Sequence, residues 1–135
     1  MSIQAEVGQS LSGFTATFTR ESLARYAGAS GDFNPIHYND AAATALGLPG
    51  VIAHGMLTMG TALRVVTDWA GDPARVLSYY VRFTKPVVVP ASGGVEVRFA
   101  ATVTAISDQV ATISIEATSA EVKVLGSATA EVRLD

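Results

Sequence analysis

The sequence predicts an α+β fold in which an antiparallel sheet wraps one long central helix. Three observations lead there. From Gly55 to about Ala70 apolar positions recur at helical spacing, at Met56, Met59, Leu63, Val66 and Trp69. Beyond Gly71-Asp72-Pro73, which ends that run, the chain reads as strands with hairpin-like spacing. One strand and two short helices precede the long helix, so the strands are gathered at one end rather than interleaved with helices.

Each element has a local reason. Phe14-Thr15-Ala16-Thr17-Phe18-Thr19 alternates large and small side chains, which suits a strand. Thr19 can cap a helix over roughly residues 20–29, with Leu23 and Tyr26 on one face. The Gly28, Ser30 and Gly31 cluster ends it. Asn39 or Asp40 can cap a further short helix through Leu46, stopped by Gly47-Leu48-Pro49-Gly50. After the long helix, strands are expected at Val76–Phe83, Val95–Val103, Val110–Ala117 and Ala128–Leu134, with a turn at Ser107-Asp108-Gln109. Val87-Val88-Val89, bounded by Pro86 and Pro90, can only be a short or edge segment.

Length and composition bound the function. The 135 residues suit one domain, 1–135, with no linker or repeat. At 49% hydrophobic and 16% charged, the chain is apolar beside the roughly 25% charged residues of an ordinary soluble domain. A subunit interface or a cavity for an apolar ligand would explain that. The net charge of -3 with no basic block disfavours nucleic acid. The lack of cysteine excludes disulfides, thiolate nucleophiles and Cys-ligated metals. The N-terminal residues have neither a basic start nor an apolar signal core, and no run reaches transmembrane length. A cytoplasmic protein without membrane attachment is the expectation.

The chemistry concentrates in Ser30-Gly31-Asp32-Phe33-Asn34-Pro35-Ile36-His37, which sets a carboxylate and an imidazole five positions apart on a bent, stiffened loop. Histidine exchanges protons near neutrality, and a carboxylate beside it can hold water or a hydroxyl. Asn34 can bond its own loop or a substrate. The same residue types also serve as turn and helix caps, so a structural role competes. The second histidine lies in Ala53-His54-Gly55-Met56, at the start of the long helix. Unpaired amides and the positive helix end fall there, and Gly55 allows a ligand close to the backbone, which is oxyanion-hole logic. His54 as a polar cap and Gly55 as a helix-start glycine are the alternatives. A metal site would need His54 beside Asp32 and His37, since one imidazole and one carboxylate are too few ligands. Arg64, Arg75, Arg82 and Lys85 are the candidate phosphate partners.

Taken together, Ser30 through His37 and Ile52-Ala53-His54-Gly55-Met56 resemble the hydratase-2 motif of the MaoC-like family. Tyr79 through Val87 is similar to that family's strand after the central helix, and the likeness runs from about Leu11 to the C-terminus. It is greatest to the catalytic B-type subunit of (3R)-hydroxyacyl-ACP dehydratases. The resemblance implies a hot-dog fold, paired into a dimer with a continuous sheet. It also implies (R)-specific hydration of a trans-2-enoyl thioester or the reverse dehydration of a (3R)-hydroxyacyl-CoA or -ACP. Carried over, Asp32 and His37 are the catalytic dyad, Gly55 supplies the oxyanion amide, and Asn34 and His54 organise the loop or touch substrate. Thr58 and Thr61 are the possible equivalents of a family serine or threonine that orients the aspartate. No metal or cofactor is implied, because the CoA or ACP pantetheine belongs to the substrate. The expected partner is a second copy, or a second hot-dog subunit in a heterodimer. The competing functions are a hot-dog thioesterase and a non-catalytic or partner-dependent acyl-binding subunit.

Overall fold

A computed structural model describes residues 1–135. Strand β1 (Ser10–Phe18) leads into helix α1 (Arg20–Ser30), a three-ten turn at Pro35–His37 and helix α2 (Asp40–Ala45). The long helix α3 (Gly55–Ala70) follows. Strands β2 (Val76–Phe83), β3 (Val95–Ser107), β4 (Val110–Ser119), β5 (Val122–Lys123) and β6 (Leu125–Arg133) complete the chain. The main sheet runs β1-β3-β4-β6-β2 with every pair antiparallel, and β5 pairs with β4. It curls around α3, which is the hot-dog arrangement.

Period-two burial places the sheet's inner face on the helix. Val97, Phe99, Ala101 and Val103 of β3 are buried, as are Ala111, Ile113, Ile115 and Ala117 of β4 and Ala128, Ala130 and Val132 of β6. The β3–β4 hairpin turns on Asp108 and Gln109, both at positive φ, which matches the twist of the flanking strands. Strand β1 begins four residues earlier than its alternation indicates and carries a bulge between Leu11 and Phe14. Gly13 sits in that bulge, where a Cβ would fall 2.4 Å from the Phe99 carbonyl oxygen, so only glycine fits.

One expectation is corrected. The wholly buried line of α3 is Thr58, Ala62, Val65, Val66 and Ala70, whereas Met56 is 60% exposed. Small side chains let the sheet approach the helix axis closely, and Leu63 and Trp69 fill the flanks. Residues 87–89 are the short segment expected, an isolated antiparallel bridge between Val88 and Ile52 outside the main sheet. They pair with the segment before α3: Val89 N–H donates to the Val51 carbonyl, and Ala53 N–H to that of Val87. Tyr79 ties β2 to the helix by donating its hydroxyl to the Met59 carbonyl at 2.7 Å, and burial pushes its phenol up to about 12.

Candidate active site

Thr19 and Ser22 cap α1 reciprocally, and Gly31 ends it with φ +77, a left-handed geometry that glycine adopts without strain. Gly28 lies inside the helix and does not stop it. The motif loop then folds on its own side chains. Ser30 Oγ accepts the Asp32 N–H at 3.1 Å, Asp32 Oδ1 accepts the Asn34 N–H at 3.1 Å, and Asn34 Oδ1 accepts the Ile36 N–H at 3.2 Å. Pro35 supplies the preset φ at the start of the three-ten turn. With Oδ1 so engaged, Asp32 is left with Oδ2, and this oxygen stands 3.7 Å from His37 Nε2.

The other face of His37 is fixed by backbone. Its Nδ1 lies 2.8 Å from the Ile52 carbonyl oxygen. A carbonyl only accepts, so Nδ1 carries the proton and the neutral ring keeps its lone pair on Nε2, toward Asp32. Ile52 in turn donates its N–H to the Ile36 carbonyl. The segment before α3 is thereby laced to the motif loop on both sides of the imidazole.

His54 is the N-terminal boundary residue of α3, yet its side chain makes no capping bond. The ring turns inward, 1% exposed, and stacks on His37 with centroids 3.8 Å apart. Its Nε2–H donates to the Asp32 carbonyl at 3.1 Å, the Tyr26 ring meets it edge-on, and Nδ1 is buried without a partner. Burial pushes this imidazole below the ordinary histidine range. Asp32, His37 and His54 bring ligand-type atoms within 4.8 Å of one another. His54 Nε2, however, is engaged by the Asp32 carbonyl, and His54 Nδ1 is sealed. His54 would have to release the Asp32 carbonyl before its Nε2 could ligate a metal.

Gly55 opens α3, and neither its N–H nor that of Met56 has a protein acceptor. The Phe83 ring lies flush against it: a Cβ here would meet a ring carbon at 3.0 Å. His37, Gly55, Thr58, Phe83 and Lys85 all line one cavity of about 360 Å³, otherwise mostly apolar through residues such as Ile52, Val87 and Leu125. Asp32 stands outside its wall with a half-exposed side chain. Of the two candidate threonines, Thr58 lines the cavity, whereas the Thr61 hydroxyl bonds back to the Leu57 carbonyl. Neither bonds Asp32.

An outer brace holds these parts. Asn39 caps α2 through the Ala42 N–H, and Asp40 reaches across to accept the Val51 N–H at 3.0 Å. Arg20 pairs with Asp40 at 3.0 Å and donates to the Val89 carbonyl. The Val51 amide and the Arg20 guanidinium hold the Asp40 carboxyl below its ordinary range. Two of the four candidate phosphate partners are engaged elsewhere: Arg75 donates to the Arg133 and Asp135 carbonyls, and Arg64 lies over the Phe14 ring. The Ile52 carbonyl, the Phe83 ring and the histidine stack had no sequence signal, because each depends on segments far apart in the chain.

The MaoC like domain family matches residues 2–124, and the chain belongs to that family. It is 46% identical over 79 residues to 3-hydroxyacyl-thioester dehydratase X of Mycobacterium tuberculosis, a match covering 58% of this chain and 27% of that protein. Among solved structures, a MaoC-like dehydratase superposes with a TM-score of 0.93 at 36% identity, over 97% of this chain and 41% of the other. An (R)-hydratase from A. caviae involved in PHA biosynthesis superposes with a TM-score of 0.83 at 27% identity, over 97% and 98% of the two chains. The chain thus spans about a quarter of the curated relative it matches, while it is the length of the (R)-hydratase unit.

Proposed function

We propose that this chain, as a single hot-dog unit, hydrates trans-2-enoyl thioesters with (R) specificity and runs the reverse dehydration of (3R)-hydroxyacyl-CoA or -ACP. The observation that carries the reading is His37, which lines an apolar cavity: its tautomer is set by the Ile52 carbonyl, and its free Nε2 faces Asp32 Oδ2 just outside the cavity wall. The full-length likeness to an (R)-hydratase supports the same chemistry.

In the dehydration direction His37 Nε2 takes the proton from carbon 2, next to the thioester carbonyl. Asp32 Oδ2 holds the 3-hydroxyl. The carbon–oxygen bond breaks as the double bond forms, and the proton passes to the departing hydroxyl, which leaves as water. The Gly55 N–H receives the enolate-like oxygen at the positive end of α3, an effect worth about 3 kcal/mol in comparable sites. Asn34 keeps the loop in register, and His54 backs both dyad members. Hydration is the same path reversed, with water held by Asp32.

The sheet ends on β2, whose outer edge is unpaired and where Leu77, Tyr80 and Phe83 are more than half exposed. A second hot-dog unit continuing the sheet there would cover them. A copy of this chain is the first partner to test, and a different subunit the second.

The test is to follow loss of enoyl-thioester absorbance with crotonyl-CoA, with Asp32→Asn alongside. Loss with the wild type alone, giving the (R)-3-hydroxy product, supports the reading. Hydrolysis to free CoA would replace it with a thioesterase.

A further inference from the structure

The chain is acidic overall, so its field gives no general attraction for an anionic substrate. The cavity is the exception. Its wall carries Lys85 and His37, no aspartate or glutamate, and the free amides at the start of a 16-residue helix. The other cations are mostly spent. Arg20, Arg25, Lys123 and Arg133 each pair with a carboxylate, Arg75 serves backbone carbonyls, and Arg64 covers an aromatic ring. Arg82, Lys85 and Arg98 have no such engagement, and of these three Lys85 alone lines the cavity. It is solvent-exposed, which puts its ammonium at the rim.

We propose that Lys85 binds a phosphate of the substrate's carrier at the rim of the cavity that holds His37 and Gly55. This inference rests on the thioester reading above. CoA and ACP both present a phosphate on the pantetheine arm, and CoA adds the phosphates of its nucleotide. An ammonium is suited to such a group as a point charge on a flexible stem, and Lys85 has no carboxylate paired to it. The apolar wall takes the acyl part, so the cavity sorts the two ends of one substrate by polarity.

The experiment compares wild type, Lys85→Met and, as an off-cavity control, Arg98→Met. The substrates are crotonyl thioesters of CoA, of phosphopantetheine and of phosphate-free pantetheine. Lys85→Met is expected to raise KM about tenfold for the phosphorylated thioesters, with kcat little changed. Kinetics on the pantetheine thioester and all kinetics of Arg98→Met should match wild type. An effect with the phosphopantetheine thioester assigns the contact to the arm that CoA and ACP share; an effect with CoA alone assigns it to the nucleotide phosphates. Equal losses on all three thioesters, or no loss on any, overturns the proposal. Failure of the wild type on every thioester would instead remove the underlying function.

Discussion

The imidazole of His54 lies against that of His37, with ring centroids 3.8 Å apart and planes inclined by 22°. Two cationic rings at this separation would repel, and His54 is the one set up to stay neutral. Burial is the main reason, the charge available to His37 acts in the same direction, and the Asp32 carbonyl opposes both. The result is a neutral plate that touches His37 through its face and the Asp32 backbone through its Nε2–H.

His54→Phe should therefore separate packing from polarity. Phenylalanine keeps an aromatic plate but loses the bond to Asp32, worth about 1 kcal/mol, and removes an orphaned nitrogen whose burial costs about 1–3 kcal/mol. The variant should be as stable as wild type or slightly more so at pH 7. Its activity should fall by up to about 100-fold as the Asp32 loop loosens. The pH dependence has a definite sign. The unfolded histidine titrates near 6.5 and the folded one lower, so the wild-type contribution is complete above pH 6.5 and is lost as pH falls below it toward the folded value. Urea midpoints between pH 7.5 and 5 should slope less in His54→Phe. An unchanged slope would mean that His54 binds protons equally in the folded and unfolded chain, so that burial does not hold it neutral.

Asp32→Asn and His37→Ala should each lower kcat by about 100- to 10,000-fold with the far-UV circular dichroism near wild type. The melting transition should hold in Asp32→Asn and fall in His37→Ala, which loses a buried ring and its bond to the Ile52 carbonyl. Asp32 is exposed and its amide replacement can still accept the Asn34 N–H. A folded variant that keeps near-normal turnover would remove the dyad from the mechanism.

Most of the fold was legible because local signals agreed with the global answer. Thr19 capping, the Gly55–Ala70 helix and the strands after residue 75 all follow from patterns within a few residues. The buried face of α3 did not follow, because hydrophobicity ranks Met56 above Ala62 while close sheet–helix approach favours the smaller side chain. Within the site, Asp32, Asn34 and His37 were visible as one motif. The turn of His54 away from capping and onto His37 was not, because it depends on residues 51–53 pairing with residues 87–89.

The Asp40 brace predicts an acid-sensitive link between α1, α2 and the segment before α3. Its carboxyl sits below the ordinary value of 3.8 through the Val51 N–H first and Arg20 second. The contribution is thus present above pH 3.8 and lost as pH falls through the lower folded value. Asp40→Ala should melt earlier than wild type at pH 7, and the difference should shrink toward pH 3. Asp40→Asn, which can still accept the Val51 N–H, should fall between them. A gap that stays constant with pH would assign the loss to packing rather than to the carboxylate.

Gly55 and Phe83 make the sharpest steric prediction. A Cβ on residue 55 would meet Phe83 ring carbons at 3.0–3.2 Å, so the ring must move, and its 54% exposure gives it room to do so. Gly55→Ala should therefore fold. It should nonetheless lose activity, because the methyl group and the displaced ring crowd the side from which an oxygen reaches the Gly55 N–H. The amide itself remains, so the loss should not exceed the roughly 100- to 1,000-fold seen when an oxyanion donor is removed. Phe83→Ala in the Gly55→Ala background should restore part of the rate if crowding by the ring is the cause. If the double variant is as slow as Gly55→Ala, the methyl group alone blocks the approach. If Gly55→Ala runs at the wild-type rate, the thioester oxygen does not use this amide.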